Sequence, residues 1–301
     1  MVYTITLNPS LDYIINIDNI NIGKTNRSSS EMILVGGKGI NISIVLKNLN
    51  VNNIALGFIA GFTGDKIEYD LKKQKINTDF IKLKNGNSRI NVKIKSKKET
   101  EINCNSPNIE KNDIELLYEK LNKLNKNDIV VIAGSIPNSL PSNTYKKIIE
   151  KIKHKNTKII VDTTKNFLLN TLEYKPFLIK PNIQELEEIF NCKIKNNSEI
   201  IQYAKRLKNM GAINVLISRG NKGAILIDEN EKIYIKKAPN GKLINSVGSG
   251  DSMIAGFISN FLKTNNYEEA FKMSIACGSA SAFSKYLATE YEIKKILNKI
   301  E

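Results

Sequence analysis

Four short runs rich in Ile and Val decide the fold: DIVVIAGS (128–135), TKIIVDTT (157–164), FLIKPN (177–182) and INVLISRG (213–220). Unbroken apolar runs of this length are typical of strands buried on both faces of a sheet. Amphipathic helices separate the runs, because apolar residues recur there at helical spacing. Ile114, Leu117, Leu121 and Leu124 share a face of a helix at 111–125, and Tyr145, Ile148, Ile149 and Ile152 share a face of the next. The alternation predicts an α/β fold with a mostly parallel sheet covered by helices on both sides.

The N-terminal part of the chain has a different pattern. The opening VYTITLN (2–8) alternates and predicts a strand, and YIINI (13–17) and RINVKIKS (89–96) alternate as well. In the last stretch Ile90, Val92 and Ile94 share one face, as in a half-exposed antiparallel strand, and TEINC (100–104) completes a hairpin. We expect strands from about 12–35 and 87–105 to form a small separate sheet. No long linker divides the chain, so residues 1–301 are predicted to form one domain with this sheet inserted.

The composition excludes several classes of protein. Hydrophobic residues make up 41% and charged residues 25% of the 301 residues, as in soluble globular proteins. No run of 18 apolar residues and no signal peptide occur, which predicts a cytoplasmic protein without a membrane partner. The three cysteines lack metal-ligand spacing and are expected to be free thiols, while the single His154 makes a catalytic triad or a multi-histidine metal site very improbable.

The net charge of +15 raises the question of nucleic-acid binding. The lysines are spread along the chain and are not clustered with aromatic residues, so we expect small anionic substrates and no nucleic acid. Arginine is scarce, with only Arg27, Arg89, Arg206 and Arg219. In a lysine-rich chain an arginine can mark a place where the planar guanidinium fork matters, as at a phosphate.

The strongest chemical motif is Asn245-Ser246-Val247-Gly248-Ser249-Gly250-Asp251-Ser252-Met253, followed by the apolar run IAGFISNFL. The glycines allow a tight turn, and the free N–H groups of the helix that follows favour an anion in that turn. A first-turn Asp251 is also favoured for purely structural reasons, so an ordinary capped turn is the alternative interpretation. A third glycine of a dinucleotide fingerprint is missing, and no G-x-x-x-x-G-K-[ST] phosphate loop exists.

A second glycine-rich segment is Gly36-Gly37-Lys38-Gly39-Ile40-Asn41-Ile42-Ser43. Three glycines in four residues let the backbone approach a ligand closely. A helix is predicted after them, with Asn41 in its first turn. Lys38 and Asn41 favour a polyol or phosphate ligand, although a plain loop-to-helix turn would also explain the glycines.

Together these segments resemble the two signature regions of the ribokinase-like, or pfkB, carbohydrate kinases. Three further segments resemble family elements in the same order along the chain. Thr6 to Asp12 resembles the opening strand with its sugar-binding aspartate, Lys180-Pro181-Asn182-x-x-Glu185 resembles the N-x-x-E element, and Ser218-Arg219-Gly220-x-x-Gly223 resembles the nucleotide loop. The resemblance covers essentially the whole chain. It implies a three-layer α/β/α domain with a mostly parallel central sheet and a small β-sheet lid.

The resemblance also implies the chemistry, which is transfer of the γ-phosphoryl group of ATP to a hydroxyl. Asp251 would be the base that accepts the hydroxyl proton, and the N–H groups of Gly248, Ser249 and Gly250 would hold the transferring charge. Asp12, Gly37, Lys38 and Asn41 would bind sugar hydroxyls. Arg89 and Arg27 would bind a phosphate already on the sugar, and Ser135 would face the ligand from a strand end.

On the nucleotide side, the resemblance implies ATP and Mg²⁺ as cofactors. Asn182 and Glu185 would hold Mg²⁺, mostly through water. The residues expected to contact ATP are Lys180, Asn182, Glu185, Ser218, Arg219, Gly220, Asn221, Lys222, Gly223 and Gly250. The lid would close over the sugar, and two lids would pair two subunits into a homodimer.

The motif combination TLNPSLDY, GGKGIN, GSIP and NSVGSGDSM is most similar to family members that phosphorylate fructose 1-phosphate. The expected product is fructose 1,6-bisphosphate. The alternative is phosphorylation of tagatose 6-phosphate or of another sugar phosphate. Remote alternatives are a sugar-phosphate-binding protein without catalysis, which the presence of Asp251 disfavours, and a nucleic-acid-binding protein.

Overall fold

The structure is a computed structural model that describes residues 1–300. The strands are β1 (Val2–Thr6), β2 (Ser10–Asn16), β3 (Ser30–Gly36), β4 (Asn53–Ala60), β5 (Asn77–Thr78), β6 (Ile81–Leu83), β7 (Arg89–Lys95), β8 (Glu99–Asn103), β9 (Ile129–Ala133), β10 (Lys158–Asp162), β11 (Leu178–Ile179), β12 (Asn214–Ser218), β13 (Ala224–Ile227) and β14 (Ile233–Lys236). The helices are α1 (Lys38–Asn48), α2 (Gly61–Lys73), α3 (Lys111–Leu121), α4 (Thr144–Ile152), α5 (Lys165–Leu169), α6 (Ile183–Phe190), α7 (Asn197–Asn209), α8 (Ser249–Thr264), α9 (Tyr267–Ala282) and α10 (Glu290–Leu297).

The central sheet has the order β14-β13-β12-β11-β10-β9-β1-β4-β5, with β6 paired to β4. The pairs from β5 through β12 are parallel, and β13 and β14 add an antiparallel edge. The four Ile- and Val-rich runs form β9 to β12, which confirms the mostly parallel sheet. Parallel strands end at the same edge of a sheet, so the polar residues that follow them are brought together.

Helices cover both faces of this sheet, which confirms the three-layer arrangement. On one face Leu117 and Leu121 of α3 and Ile148 of α4 join a buried apolar cluster with alternate strand residues. On the other face Leu46 of α1 and Phe257 of α8 join a second cluster. Helix α3 ends at Leu121, earlier than expected, because the chain turns there to enter β9.

The predicted small sheet is present and has four strands in the order β3-β2-β7-β8. Strand β7 pairs in parallel with β2 and forms the expected antiparallel hairpin with β8. The alternation of β7 is confirmed, but its more buried face is the polar one. Asn91 and Lys93 are each 6% exposed, whereas Ile90, Val92 and Ile94 are half-buried. The polar residues are buried because they line the inner side of this sheet, which we call the lid.

The remaining structural expectations concern the surface and the thiols. Cys104 is exposed, Cys192 is half-buried and Cys277 is buried, all as free cysteines, and His154 is exposed. Within residues 1–300, no helix is both long and apolar enough to cross a bilayer.

Candidate active site

A cleft of about 380 Å³ separates the inner face of the lid from helix α1. The lid contributes Asp12, Ile14 and Lys93 to its walls, and α1 contributes Asn41 and Ile44. The chain segments around Val247 and Leu287 close the remaining side. The cleft therefore lies between the two glycine-rich segments that the sequence singled out.

Asp251 lies at the head of α8, two residues into the helix that begins at Ser249. Gly248 precedes the helix with a φ of +76°, a left-handed conformation that favours glycine, as the sequence predicted. Within residues 1–300, the backbone N–H groups of Gly250 and Asp251 donate to no acceptor, so both remain available to an anion. Asn41 Nδ2 donates to Asp251 Oδ2 at 2.7 Å, which connects the base candidate to the cleft wall.

The environment of Asp251 raises the pKa of its carboxyl group to about 6. Burial is the largest cause, since a charged carboxylate loses its hydration, and the negative charge of Asp162 adds to it. Lys38, Lys180 and the hydrogen bond from Asn41 act in the opposite direction. A carboxylate with a pKa near 6 is ionised at neutral pH and still basic enough to accept a hydroxyl proton.

Two lysines flank a buried carboxylate below this helix. Lys38 Nζ and Lys180 Nζ each lie 3.4 Å from an oxygen of Asp162, whose side chain is 1% exposed. Burial opposes ionisation of Asp162, yet Lys180 and Lys38 hold its pKa below the ordinary value. Burial likewise opposes the charge on Lys38, and the surrounding carboxylates, Asp162 first, raise its pKa above the usual range. Lys38, Asp162 and Lys180 thus form a cluster of charges that brings two ammonium groups near the N-terminus of α8.

Gly250 leaves room for the Lys180 side chain at the N-terminus of α8. A Cβ atom on Gly250 would lie 3.0 Å from Lys180 Nζ and 3.5 Å from its Cε. Lys180 is 5% exposed and is held by Asp162, so it has little freedom to move aside. The glycine of the motif therefore lets a buried ammonium group approach the helix N-terminus, where a transferring phosphoryl group would be bound.

On the lid, several polar side chains surround the carboxylate of Asp12. Its Oδ1 accepts hydrogen bonds from Ser10 Oγ at 2.8 Å and Asn91 Nδ2 at 3.1 Å, and its Oδ2 lies 2.9 Å from Lys93 Nζ. Gly36 of β3 packs directly on this group, since a Cβ there would lie 2.5 Å from Asp12 Oδ1. Gly37, with a φ of +121°, then caps α1, whose Asn41 lines the opposite side of the cleft, while Lys38 lies against Asp162.

The two arginines expected to bind phosphate are placed differently. Arg89 opens β7 beside Ser10, is half-buried, and has a buried Nε without a hydrogen-bond partner in residues 1–300. Burial lowers the pKa of Arg89, and the charge of Asp12 opposes this. Arg27 is exposed in the turn between β2 and β3, at the end of this hairpin far from Ser10. The structure therefore places Arg89 near Asp12 on the lid, although Arg89 does not line the cleft, and leaves Arg27 at the far end of the hairpin.

Ser135 follows β9 at the strand-end edge of the sheet, as expected. Asn8 Nδ2 lies 3.4 Å from Ser135 Oγ, so the loops after β1 and β9 meet there. The hydroxyl of buried Tyr145 donates to the carbonyl oxygen of Gly134 at 3.1 Å and fixes this loop.

The residues expected to bind the nucleotide lie at the ends of β11 and β12. Asn182 caps α6 through its Oδ1, which accepts from the Glu185 amide at 2.8 Å, and Glu185 Oε2 accepts from the Asn182 amide at 2.9 Å. The N-x-x-E element is thus a reciprocal capping box. Asn182 also forms a bridge with Ser218, which brings this element against the predicted nucleotide loop.

Arg219 holds the nucleotide loop together from within. Its guanidinium donates to Asn197 Oδ1 at 2.7 Å and to the carbonyl oxygen of Lys222 at 2.6 Å. Gly220, Asn221 and Lys222 form an exposed turn between β12 and β13, which Gly223 closes with a φ of +85°. The guanidinium is therefore occupied in shaping the loop, while the exposed turn is open to a ligand.

The carboxylates of this side fit a hydrated divalent cation better than a bare one. Within residues 1–300 no group of three His, Cys, Asp or Glu side chains could enclose a metal ion. Asp162 Oδ2 is buried, accepts no hydrogen bond within residues 1–300 and is 3.4 Å from Lys38 Nζ, and Glu185 Oε1 is 3.9 Å from the same ammonium group. Mg²⁺ typically keeps several waters and uses one or two carboxylates, and this donor set matches that habit.

Sequence reasoning missed several residues of this site. Asp162, Lys93, Asn91 and Ser10 had no place among the expected residues. For Asp162 a signal existed, because a carboxylate ends the buried run IIVD at the strand edge where ligands bind. For Lys93 the alternation predicted a polar face but not that this face is buried.

Comparison with known proteins identifies the family. The family model for "pfkB family carbohydrate kinase" matches residues 6–294, and the chain belongs to that family of sugar kinases. It is 44% identical to the 1-phosphofructokinase of Bacillus subtilis, over 100% of this chain and 99% of the relative. It is 36% identical to the D-tagatose-1-phosphate kinase of Bacillus licheniformis, over 100% and 99% of the two chains. A solved Staphylococcus aureus structure aligns with a TM-score of 0.88 at 40% identity, covering 100% of this chain and 98% of that one.

Proposed function

We propose that this kinase transfers the γ-phosphoryl group of ATP to fructose 1-phosphate and forms fructose 1,6-bisphosphate. One observation carries the proposal: a buried carboxylate, Asp251, stands at an open helix N-terminus and is bonded to Asn41 in the wall of a cleft. The similarity to a 1-phosphofructokinase over the whole chain supports the choice of sugar. Residues 1–301 would act as one kinase domain whose lid covers the acceptor.

The transfer needs only a few groups. The acceptor hydroxyl gives its proton to Asp251, its oxygen forms a bond to the γ-phosphorus, and the bond from that phosphorus to the β,γ-bridging oxygen breaks, so that ADP leaves with the bonding pair. The amides of Gly248, Gly250 and Asp251 would stabilise the charge on the transferring group, because they are fixed before the reaction. The Ser249 amide, which the sequence also suggested for this role, instead donates to the Ser246 carbonyl oxygen at 3.3 Å. Lys38 and Lys180, held by Asp162, would neutralise phosphate charge from the other side.

On the acceptor side, Asp12, Gly37, Lys38 and Asn41 would bind sugar hydroxyls. Arg89 would bind the existing phosphate, which its buried, unpaired Nε supports. Ser135 would contact the acceptor from the end of β9. Arg27 lies outside the cleft of its own chain. It would bind this phosphate only in an assembly in which the lid of a second subunit brings it near.

For the nucleotide, the exposed turn from Ser218 to Gly223 would contact ATP. Asn182 and Glu185 would hold Mg²⁺ through water, and Asp162 would join them. Mg²⁺ supplies charge neutralisation on the phosphates when bound. Arg219 would act by shaping the turn, because its guanidinium is already bonded within it.

The alternative acceptor is a tagatose phosphate. Tagatose and fructose differ only in the configuration at C4, so one cleft has to distinguish the position of a single hydroxyl. The chain is 36% identical to a D-tagatose-1-phosphate kinase and 33% identical to a tagatose-6-phosphate kinase. Tagatose 1-phosphate and tagatose 6-phosphate are therefore both alternative acceptors.

A kinase assay with ATP against fructose 1-phosphate, tagatose 1-phosphate, tagatose 6-phosphate, fructose 6-phosphate and ribose tests the proposal. We expect fructose 1-phosphate to give the highest kcat/KM, and Asp251→Asn to serve as the inactive control. A higher kcat/KM for one of the tagatose phosphates would make that sugar phosphate, and not fructose 1-phosphate, the acceptor. Efficient phosphorylation of ribose would contradict the requirement for a phosphorylated acceptor.

We also propose that two lids pair through their outer faces to form a homodimer. Ile33 and Ile102 are 50% and 53% exposed there, on the face that also carries the half-buried Val92 and Ile94. Ile90 is covered by the core cluster of its own chain. An apolar face on a small sheet gains stability by being covered. Sedimentation at micromolar concentration should show a dimer, and Ile102→Lys should shift it towards monomer, whereas a wild-type monomer would contradict the pairing.

A further inference from the structure

The lid carries a buried lysine that the roles given above do not use. Lys93 lies in the middle of β7, is 6% exposed, and forms part of the cleft wall. Its Nζ is 2.9 Å from Asp12 Oδ2, and Glu101 Oε1 is 3.9 Å away. Lysine is rarely buried unless it is paired, because its ammonium group loses strong hydration. Its place in the cleft wall makes it a candidate for ligand binding.

The hydrogen-bonding groups around Asp12 leave a defined pattern. An ionised carboxylate has about four acceptor positions. Ser10 and Asn91 occupy Oδ1, and Lys93 occupies one position on Oδ2. One acceptor position on Oδ2 therefore remains for a hydroxyl in the cleft. The Lys93 ammonium has three N–H donors, and the bond to Asp12 uses one, so a donor remains beside that open acceptor.

We propose that Lys93 is a sugar-binding residue that acts side by side with Asp12. Asp12 accepts a hydrogen bond from one sugar hydroxyl, and Lys93 donates one to the neighbouring sugar oxygen. An adjacent acceptor and donor fit two oxygens on neighbouring carbons of a ketose. The inference rests on the proposed function, because that function puts a sugar phosphate in this cleft.

The first test compares two buried lysines. Lys93→Met keeps the aliphatic length and removes the donors, and we expect it to raise the KM for the sugar phosphate at least tenfold while the KM for ATP changes less than twofold. Lys208→Met is the matched control, since the Lys208 side chain is 7% exposed and its Nζ donates to the carbonyl oxygens of Ile213 and Asp228. It should lower the melting temperature and leave both KM values within twofold.

A double variant separates direct binding from mere support of Asp12. If Lys93 acted only by holding Asp12, Lys93→Met would have no further effect once Asp12→Asn had removed that carboxylate. A direct bond to the sugar predicts a further rise of at least threefold in the sugar-phosphate KM for the double variant over Asp12→Asn alone. The absence of this rise would overturn the proposal, as would an unchanged sugar-phosphate KM in Lys93→Met.

The outcome is distinguishable from a failure of the proposed function. Both variants are compared with wild type on the sugar phosphate that wild type turns over fastest. A different best substrate contradicts the proposed acceptor and leaves the comparison of KM values intact. An unchanged KM on that best substrate contradicts the role of Lys93 alone.

Discussion

Two buried carboxylates, Asp251 on the core and Asp12 on the lid, differ in the number of side chains that donate to them. Asp251 receives one side-chain hydrogen bond, from Asn41, and its pKa is raised to about 6. Asp12 is surrounded by three donors, Ser10, Asn91 and Lys93. Burial with a single donor raises the pKa of Asp251, whereas the three donors around Asp12 fix that carboxylate as a hydrogen-bond acceptor with one position left open. The difference separates a base from a ligand-binding group of the same residue type.

The largest expected effect tests Asp251 as the base. Asp251→Asn should keep substrate binding and lower kcat by about 10²–10⁴-fold, because an amide cannot accept the hydroxyl proton. Single-turnover kinetics would measure the chemical step, and calorimetry would check that sugar phosphate and ATP still bind. Retention of more than about a tenth of the wild-type rate, with chemistry rate-limiting, would show that the base lies elsewhere.

Stability should move in opposite directions at the two carboxylates. Asp12→Asn leaves Lys93 buried without its partner, and breaking such a pair costs about 3 kcal/mol. Asp251→Asn removes a group that is harder to ionise in the folded protein, where its pKa is about 6, than in the unfolded chain, where it is near 3.8. Because the folded state raises this pKa, the free energy of unfolding of the wild type falls as the pH rises from about 4 to about 6. At 1.36 kcal/mol for each pKa unit, the loss is up to about 3 kcal/mol.

Urea unfolding at two pH values measures this contrast. At pH 8 Asp251→Asn should be more stable than wild type, and near pH 4 the difference should largely vanish. Asp12→Asn should be less stable than wild type at pH 8. Destabilisation by both substitutions at pH 8 would show that the two sites do not differ in the proposed way.

A smaller effect is expected at Arg89, next to Asp12 on the lid. Arg89→Lys should raise the KM for the sugar phosphate at least tenfold, because a charge-assisted bond contributes roughly 1.5–3 kcal/mol and a lysine cannot form two parallel bonds to phosphate. The KM for ATP should barely move. Arg206→Lys is a suitable control, since Arg206 lies on α7 over the ring of Phe190. An unchanged sugar-phosphate KM in Arg89→Lys would refute the role.

The smallest effect concerns the pH dependence of turnover. Because Asp251 must be ionised to act, kcat/KM should fall below about pH 6 and level off above it. The charge of Asp162 helps to raise the pKa of Asp251, so Asp162→Asn should move this acid limb to lower pH. Asp128→Asn is the control, since Asp128 is buried beside the N-terminal amine and should leave the limb in place. A limb that stays or moves upwards in Asp162→Asn would contradict the coupling.

The sequence by itself determined the layers of the fold and the positions of the main motifs. Short runs such as 128–135, rich in β-branched residues and separated by amphipathic helices, indicated buried strands. Gly248 and Gly250 indicated a helix start with Asp251 in its first turn. These inferences succeed because hydrophobic periodicity and glycine conformation act over a few neighbouring residues.

Only the tertiary structure decided which charges meet. Asp162 and Lys180, and Asp12 and Lys93, are far apart in sequence or on different strands, and their contacts depend on strand order and register. The burial of the polar face of β7 was equally hidden, because alternation fixes which residues share a face but not which face is covered. The raised pKa of Asp251 follows from burial and from charges on other elements, which no local pattern encodes.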